Sequence, residues 1–273
     1  MTKKLSNLNE KKRILIVLEL EKFDIKLNTD FIGRNFIYAE EINSTNSYLL
    51  DKKNKNLVDG TVVFAEKQTE GRGRKNRVWY SVKEQNLNFS ILLTNRKYFP
   101  KNINLINFAS SLAVALSIEN LFQLNASLKW PNDVLINNKK VCGILLEAVS
   151  QGSKIEQLVI GIGINVNQST FQGTFNIPPT SIRLEMNETI ERERLLAEVL
   201  NSFEEILYET LSNPKEIMRD WKSRCRMIGE KIEVNEGNSI KYGIFDDIDE
   251  SGTLLLKTKD KIEKIHLGDV SLL

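Results

Sequence analysis

The hydrophobic positions change period several times along the chain, and each change marks an element. Phe36-Ile37-Tyr38-Ala39 and residues 61–67 are short runs rich in β-branched and aromatic side chains, which predict strands. From Asn86 to Leu93, Leu87, Phe89, Ile91 and Leu93 alternate with Asn88, Ser90 and Leu92, the period-2 pattern of a strand. Residues 104–124 are the longest apolar segment, and Leu105, Phe108, Leu112, Ala115, Leu116 and Leu121 predict a largely buried helix. Leu128-Lys129-Trp130 leads to Pro131, which cannot donate to a ladder, and Asn132-Asp133 is turn chemistry. Val134-Leu135-Ile136, a polar hairpin turn at residues 137–140, and strands at 141–148 and 157–165 follow. Residues 128–165 thus read as a three-stranded antiparallel meander. Gly161 and Gly163 lie two apart, hence on one face, and predict a slot where something lies flat against the sheet. No helix follows and no G-x-G-x-x-G is completed, so this is not a dinucleotide fingerprint.

Farther on, Leu195, Leu196, Val199, Leu200, Phe203, Ile206, Leu207 and Leu211 predict an amphipathic helix over 190–211. Asn213-Pro214 starts another, with proline at its first position, running to Arg224. From Ile228 short strands at 231–234, 239–246, 252–257 and 261–266 predict a small β-barrel over 228–273. At the other end, residues 9–22 predict a short amphipathic helix capped by Asn9. Only about 30 residues precede the first strand-like run. A complete winged DNA-binding domain needs roughly 60 on the sizes of small domains, so DNA binding is not expected.

Composition narrows the function. The 273 residues carry 38 basic and 36 acidic side chains, a net charge of +2, so any basic site must be local. Cys142 and Cys225 form no C-x-x-C pair, which gives no zinc site and suits a reducing compartment. The charged start has no apolar signal core, and no apolar run is expected to reach the ~20 residues that span a bilayer. A cytoplasmic protein without a membrane partner is the expectation.

One local basic cluster stands out, Gly71-Arg72-Gly73-Arg74-Lys75-Asn76-Arg77-Val78-Trp79. Glycines let backbone approach a ligand, arginine forks match phosphate or carboxylate oxygens, and the indole offers a stacking face. The loop fits a clamp for an anionic aromatic ligand such as a nucleotide, or a solvated basic surface loop. Ser44-Thr45-Asn46 before Tyr48-Leu49-Leu50 reads as a helix cap, and the same hydroxyls suit an acceptor-rich ligand head.

Taken in order, four stretches resemble those of the biotin protein ligases. They are Ser44-Thr45-Asn46; Gln68 with the glycine–arginine loop and Trp79; Lys129-Trp130-Pro131-Asn132-Asp133 with Lys140, Gly143, Ile144 and Leu145; and Gly161-Ile162-Gly163-Ile164-Asn165. The C-terminal strands, ending Leu267-Gly268-Asp269-Val270-Ser271-Leu272, are similar to that family's small SH3-like domain.

The resemblance implies an α+β fold: a class II aminoacyl-tRNA synthetase-like mixed sheet with flanking helices, plus a small C-terminal SH3-like β-barrel. It implies a short helical extension over 1–32, a catalytic domain over 33–226 and the small domain over 227–273. Its chemistry takes biotin and ATP with Mg²⁺ to biotinyl-5′-adenylate and pyrophosphate. Biotin then passes to a lysine of a biotin carboxyl carrier protein.

Joining a carboxylate to an α-phosphate brings two anions together, which cations must neutralise. Lys140 is the first candidate, with Arg72 and Arg74 acting from a loop that folds over the adenylate. Ser44, Thr45, Asn46 and Gln68 are expected at the ureido end of biotin. Gly143, Leu145, Gly161 and Gly163 are expected along its rings and tail, Gly71 and Gly73 in the clamp, and Trp79 at the adenine. Asn132 and Asn165 are expected at phosphate or ribose, and Asp133 near metal or the incoming lysine. Trp130 and Cys142 read as core and His266 as incidental.

Asn76 stands where the family usually has glycine, and asparagine tolerates a left-handed backbone there. Lipoate ligases share the fold and adenylate chemistry, but the glycine–arginine loop with Trp79 argues against them. A DNA-binding regulator lacks its helix-turn-helix, and an RNA-binding module is disfavoured by the near-neutral charge. The carrier's identity and homodimer formation are left open.

Overall fold

A computed structural model of the chain describes residues 18–54, 57–152, 154–237 and 239–273. The helix expected over 9–22 therefore lies largely outside the described residues. The first described helix is α1 (Leu20–Lys26).

Seven strands form one mixed sheet. They are β1 (Phe36–Ile42), β2 (Val62–Gln68), β3 (Leu87–Leu93), β4 (Ala126–Lys129), β5 (Asp133–Ile136), β6 (Lys139–Gln151) and β7 (Lys154–Ile164). Their spatial order is β1-β2-β3-β7-β6-β5-β4. β1 and β2 run parallel, joined through α2 (Thr45–Leu50), and the other neighbours are antiparallel. The meander has four strands where the sequence predicts three. Pro131, in a cis peptide with Trp130, does not just interrupt a strand: the chain reverses there, and Lys129 pairs with Asp133. Asn137 and Asn138 both take positive φ, as a type I′ hairpin turn requires.

The alternation along β3 sorts its side chains onto two faces. Leu87, Phe89, Ile91 and Leu93 enter the main core, which α3 (Asn104–Phe122) backs. After the short α4 (Ile182–Met186), α5 (Arg192–Ser212) and α6 (Pro214–Arg224) pack on α3, and α1 packs on α5. Leu92, on the opposite face, packs with Leu49, Val63 and Val159 under α2. One expectation needs correcting: α3, at 19 residues, is long and apolar enough to cross a membrane. Most of it is buried between sheet and helices, and an all-round apolar helix is what such a core position demands.

The C-terminal sheet has five antiparallel strands, β8 (Lys231–Asn235), β9 (Ile240–Ile248), β10 (Leu254–Lys257), β11 (Ile262–Ile265) and β12 (Asp269–Leu272), in the order β11-β10-β9-β8-β12. The sequence pattern missed β12, whose four residues are too few to show a period. Among the described residues β11 and β12 do not pair with each other, so hydrogen bonding leaves the sheet open rather than closed into a barrel. Trp130 ties the two sheets together: its buried indole donates to the Gly252 carbonyl at 3.0 Å. Lys222 of α6 meets Asp247 of β9 at 2.7 Å.

Candidate active site

Strand register sets one row of residues across the sheet face opposite the main core. Lys129, Asp133, Gly143, Gly163 and Asn88 are successive partners across β4, β5, β6, β7 and β3. Cross-strand partners share a face, so this row projects together. A neighbouring row pairs Leu145 with Gly161 and Gly161 with Ser90. The glycines leave a trough, and it is occupied by two of the chain's own side chains. A Cβ on Gly163 would lie 2.4 Å from Trp79 Cε2, and one on Gly161 would lie 2.3 Å from Asn46 Oδ1. The sequence predicts that biotin's rings lie over these glycines; here Trp79 and Asn46 do.

A cavity of about 790 Å³ opens beside them. Sixteen of the seventeen expected site residues line it: Ser44, Thr45, Asn46, Gln68, Arg72, Gly73, Arg74, Trp79, Asn132, Asp133, Lys140, Gly143, Leu145, Gly161, Gly163 and Asn165. Gly71 does not. It closes the base of the loop, where Trp79 N–H donates to its carbonyl at 2.8 Å and a Cβ would meet Trp79 O at 2.4 Å.

The loop is a small hairpin. Arg72 bridges Val78, and Gly73 N–H donates to Arg77 O at 2.7 Å. Its left-handed residue is Lys75 (φ 55°), not Asn76, where the glycine-like conformation was expected. Trp79 Nε1–H donates to Asn88 Oδ1 at 3.0 Å, which fixes the indole over Gly163 and Gly143.

At one end, Ser44 caps α2, accepting from Ser47 N–H. Thr45 donates to Gln68 Oε1 through its N–H (2.9 Å) and its hydroxyl (3.2 Å). Ser90 Oγ sits 2.6 Å from Thr45 Oγ1 and 2.5 Å from Asn46 Oδ1. Asn46 Nδ2 donates to Glu147 at 2.7 Å, and Arg72 reaches the same carboxylate at 3.1 Å. At the other end, Lys140 Nζ lies 2.7 Å from Asp133 Oδ1 and 5.8 Å from the centre of the Trp79 ring. The backbone around Lys140 is held by the 171–181 segment, with Lys140 N–H to Pro178 O and Thr180 N–H to Lys140 O, both 2.9 Å. Arg74 donates to Asn132 Oδ1 at 3.3 Å. Burial pushes the Arg74 and Lys129 pKa values down, against neighbouring carboxylates that push them up.

The two asparagines expected at phosphate or ribose are also structural. Asn132 Nδ2 donates to Ile144 O, and Asn165 Nδ2 to Thr180 O at 3.0 Å. Trp130 and Cys142 are buried as expected, and His266 faces Thr253 in the C-terminal unit.

Several lining residues escaped the sequence reading. Residues 171–177 wall the cavity, and Asp269 and Ser271 reach it from β12. Asn88, Ser90 and Glu147 support it from behind. The polar alternation of Asn88 and Ser90 with core residues in β3 was the available signal; nothing local announced Asp269.

The comparisons with known proteins meet this geometry. The profile of the Biotin/lipoate A/B protein ligase family matches residues 38–165, and that of the Biotin protein ligase C terminal domain matches 227–273. The Bifunctional ligase/repressor BirA of Bacillus subtilis is 34% identical over 251 residues, 90% of this chain and 76% of that one. This chain belongs to the biotin protein ligase family. The Biotin--[acetyl-CoA-carboxylase] ligase of Paracoccus denitrificans is 31% identical over 71% of this chain and 83% of its own. Among solved structures, the biotin protein ligase from Aquifex aeolicus in complex with biotin and ATP superposes with a TM-score of 0.76 at 32% identity, covering 88% of this chain and 99% of that one. The α+β, class II synthetase-like plan of a mixed sheet backed by helices, with a small all-β C-terminal unit, agrees with that membership.

Proposed function

We propose that this chain is an ATP-dependent biotin protein ligase. It converts biotin and ATP to biotinyl-5′-adenylate and pyrophosphate, then transfers biotin to a lysine of a biotin carboxyl carrier protein in the cytoplasm. Residues 33–226 form the catalytic unit and 227–273 the SH3-like one, with 1–32 an N-terminal extension. The observation that carries the reading is the row Lys129–Asp133–Gly143–Gly163–Asn88 with Trp79 seated on its glycines: one cavity with a stacking face, a polar head end and several cations.

The chain's own groups divide the work. Thr45, Asn46 and Gln68, already linked by hydrogen bonds to one another or through Ser90, offer with the helix cap Ser44 a preorganised polar pocket for the ureido ring. Trp79, fixed by Asn88, supplies a flat wall for adenine. Lys140 faces the reacting carboxylate and α-phosphate, and Asp133 holds its ammonium in position. Neutralising the approach of two anions is where such a cation lowers the barrier. Arg72 and Arg74 flank the adenylate from the hairpin. With the hairpin shut, water that would hydrolyse the mixed anhydride is kept out.

Mg²⁺ fits this site as part of the nucleotide substrate. No group of three or more His, Cys, Asp or Glu residues suited to a metal occurs among the described residues. The lining carboxylates Asp133 and Asp269 are both engaged by cations. The ion would arrive on the phosphates of ATP and would neutralise their charge there.

The first half-reaction tests the reading without a carrier. Protein, ATP and Mg²⁺ with biotin should release pyrophosphate and accumulate a bound adenylate, and lipoate should give neither. Adenylate from lipoate alone would move the chain to the sister activity, against which the match to the biotin ligase C-terminal domain weighs.

A further inference from the structure

The polar end of the cavity is a chain of hydrogen bonds, and its direction is set by Glu147 of β6, which is not among the cavity's lining residues. Asn46 is 3% exposed and Ser90 is fully buried. Asn46 lies over Gly161, between Ser90 of β3 and Glu147. Its amide has a donating end and an accepting end, and the neighbours decide which faces which. Nδ2 points to Glu147 Oε2 at 2.7 Å and to Leu145 O at 3.3 Å, both acceptors. A carboxylate cannot donate, so Asn46 Oδ1 is turned toward Ser90 Oγ, 2.5 Å away.

Ser90 has one hydroxyl proton and two oxygen neighbours. Asn46 Oδ1 has no proton to give, so Ser90 donates there. The 2.6 Å contact between Ser90 and Thr45 then takes its proton from Thr45. Gln68 Oε1, 3.2 Å from the same Thr45 hydroxyl, draws on that proton as well. On either path Thr45 gives its proton to the protein and keeps only lone pairs for a ligand. In a buried chain each bond polarises the next, so the charge at one end is felt at the other. Arg72 meets the same Glu147 oxygen at 3.1 Å, but a guanidinium has donors alone and cannot reverse the direction.

We infer that Glu147 is a positioning residue for the activation step: through Asn46 and Ser90 it fixes the Thr45 hydroxyl as an acceptor, so the pocket selects a ligand head that carries N–H groups. The inference rests on the ligase reading, in which that head is the ureido ring of biotin. A dithiolane ring has no N–H and would leave the buried acceptor unpaired, which is how a polar site rejects a close analogue. Glu147 makes and breaks no bond of the substrate. It acts through two other side chains.

The test uses the full chain with Glu147→Leu, Glu147→Gln and Ser90→Ala. Leucine removes the acceptor, whereas glutamine still accepts from Asn46. In biotin-dependent pyrophosphate exchange, Glu147→Leu should raise KM for biotin by about 5-fold or more and leave KM for ATP within about 2-fold of wild type. Glu147→Gln should keep KM for biotin within about 2-fold of wild type, although the charge facing Arg72 is gone. Ser90→Ala cuts the chain in its middle, so adding Glu147→Leu to it should weaken biotin by less than about 2-fold further. Equal losses in Glu147→Gln and Glu147→Leu, equal losses for biotin and ATP, or effects that multiply in the double variant overturn the proposal. If Glu147→Leu does not fold, biotin with isotopically labelled ureido nitrogens decides. A ureido N–H proton should move downfield on binding to wild type and to Glu147→Gln alike; ureido protons that stay at their free positions refute the acceptor. A wild type that forms no adenylate from biotin would sink the ligase reading instead.

Discussion

Arg77 and Asp269 stand 192 positions apart and meet on the wall of the cavity. Arg77 Nη1 donates to Asp269 Oδ1 at 3.2 Å, and Nη2 reaches Oδ2, so the guanidinium grips both carboxylate oxygens. Lys75 adds a third contact to Asp269 Oδ2 at 3.3 Å and a fourth to Asn235 O at 3.2 Å. The C-terminal sheet thereby ties down the tip of the arginine hairpin. Burial pushes the Asp269 carboxyl up, but Arg77 and Lys75 outweigh it and leave it below the usual carboxylate range.

Removing this latch should cost function more than stability. Arg77 is half exposed, and pairs of that kind contribute roughly 0–1 kcal/mol. Asp269→Asn should leave the urea midpoint nearly unchanged and slow biotin-dependent pyrophosphate exchange by about 5-fold, roughly 1 kcal/mol of loop positioning. An exchange rate equal to wild type would remove the latch from the account.

The same contact sets a pH dependence. A carboxyl whose folded pKa is depressed contributes above its unfolded value of about 3.9 and loses its contribution as pH falls through the lower folded value. Amide exchange at Gly73 and Trp79, corrected for intrinsic rate, should stay protected at pH 5 and open only below about pH 4. Opening near neutrality would contradict the latch.

Gly163 should tolerate no side chain. A methyl there would enter the Trp79 ring at 2.4 Å and push the indole off the sheet and away from Asn88. Gly163→Ala should raise KM for ATP by about 10-fold or more while the fold survives, since backbone at that position is ordinary strand. Unchanged ATP kinetics would mean that the indole is not the adenine wall.

Much of this site was legible in the chain because its pieces are local. The hairpin loop, the Pro131 turn and the Gly161–Gly163 pair each carry their signature within a few residues, and strand alternation placed Asn88 and Ser90 on the face opposite Phe89. What the chain hid is register and long-range contact. That Lys129, Asp133, Gly143, Gly163 and Asn88 form one row depends on how five strands align. The occupation of the glycine trough by Trp79 and Asn46, the arrival of Asp269 from β12, and the wall at 171–177 depend on tertiary packing. The fourth meander strand is hidden for a local reason: β4 and β5, on either side of the Pro131 turn, have four residues each, too few to show a period.

Stability has its own centre away from the cavity. Glu66 and Arg192 are almost fully buried, 2.6 Å apart, and Glu66 also accepts from Leu18 N–H at 2.9 Å. Breaking such a pair leaves an unmatched buried charge, at a cost of about 3–5 kcal/mol. Arg192→Met should lower the unfolding free energy in urea by that amount, and Glu66→Gln combined with it should recover part of the loss. A change below about 1 kcal/mol would show that the pair is replaceable.

The central claim is that this cavity makes and transfers biotinyl-5′-adenylate with Lys140 as the cation at the reacting centre. The direct measurement is the intact mass of a biotin carboxyl carrier domain after incubation with ATP, Mg²⁺, biotin and either wild type or Lys140→Ala. The account predicts one added biotinyl group per carrier with wild type, and a rate at least about 100-fold lower with Lys140→Ala, on the scale of losing one preorganised electrostatic contact. A carrier of unchanged mass with wild type would contradict the function. Equal rates for the two proteins would keep the function and remove Lys140 from the reacting centre.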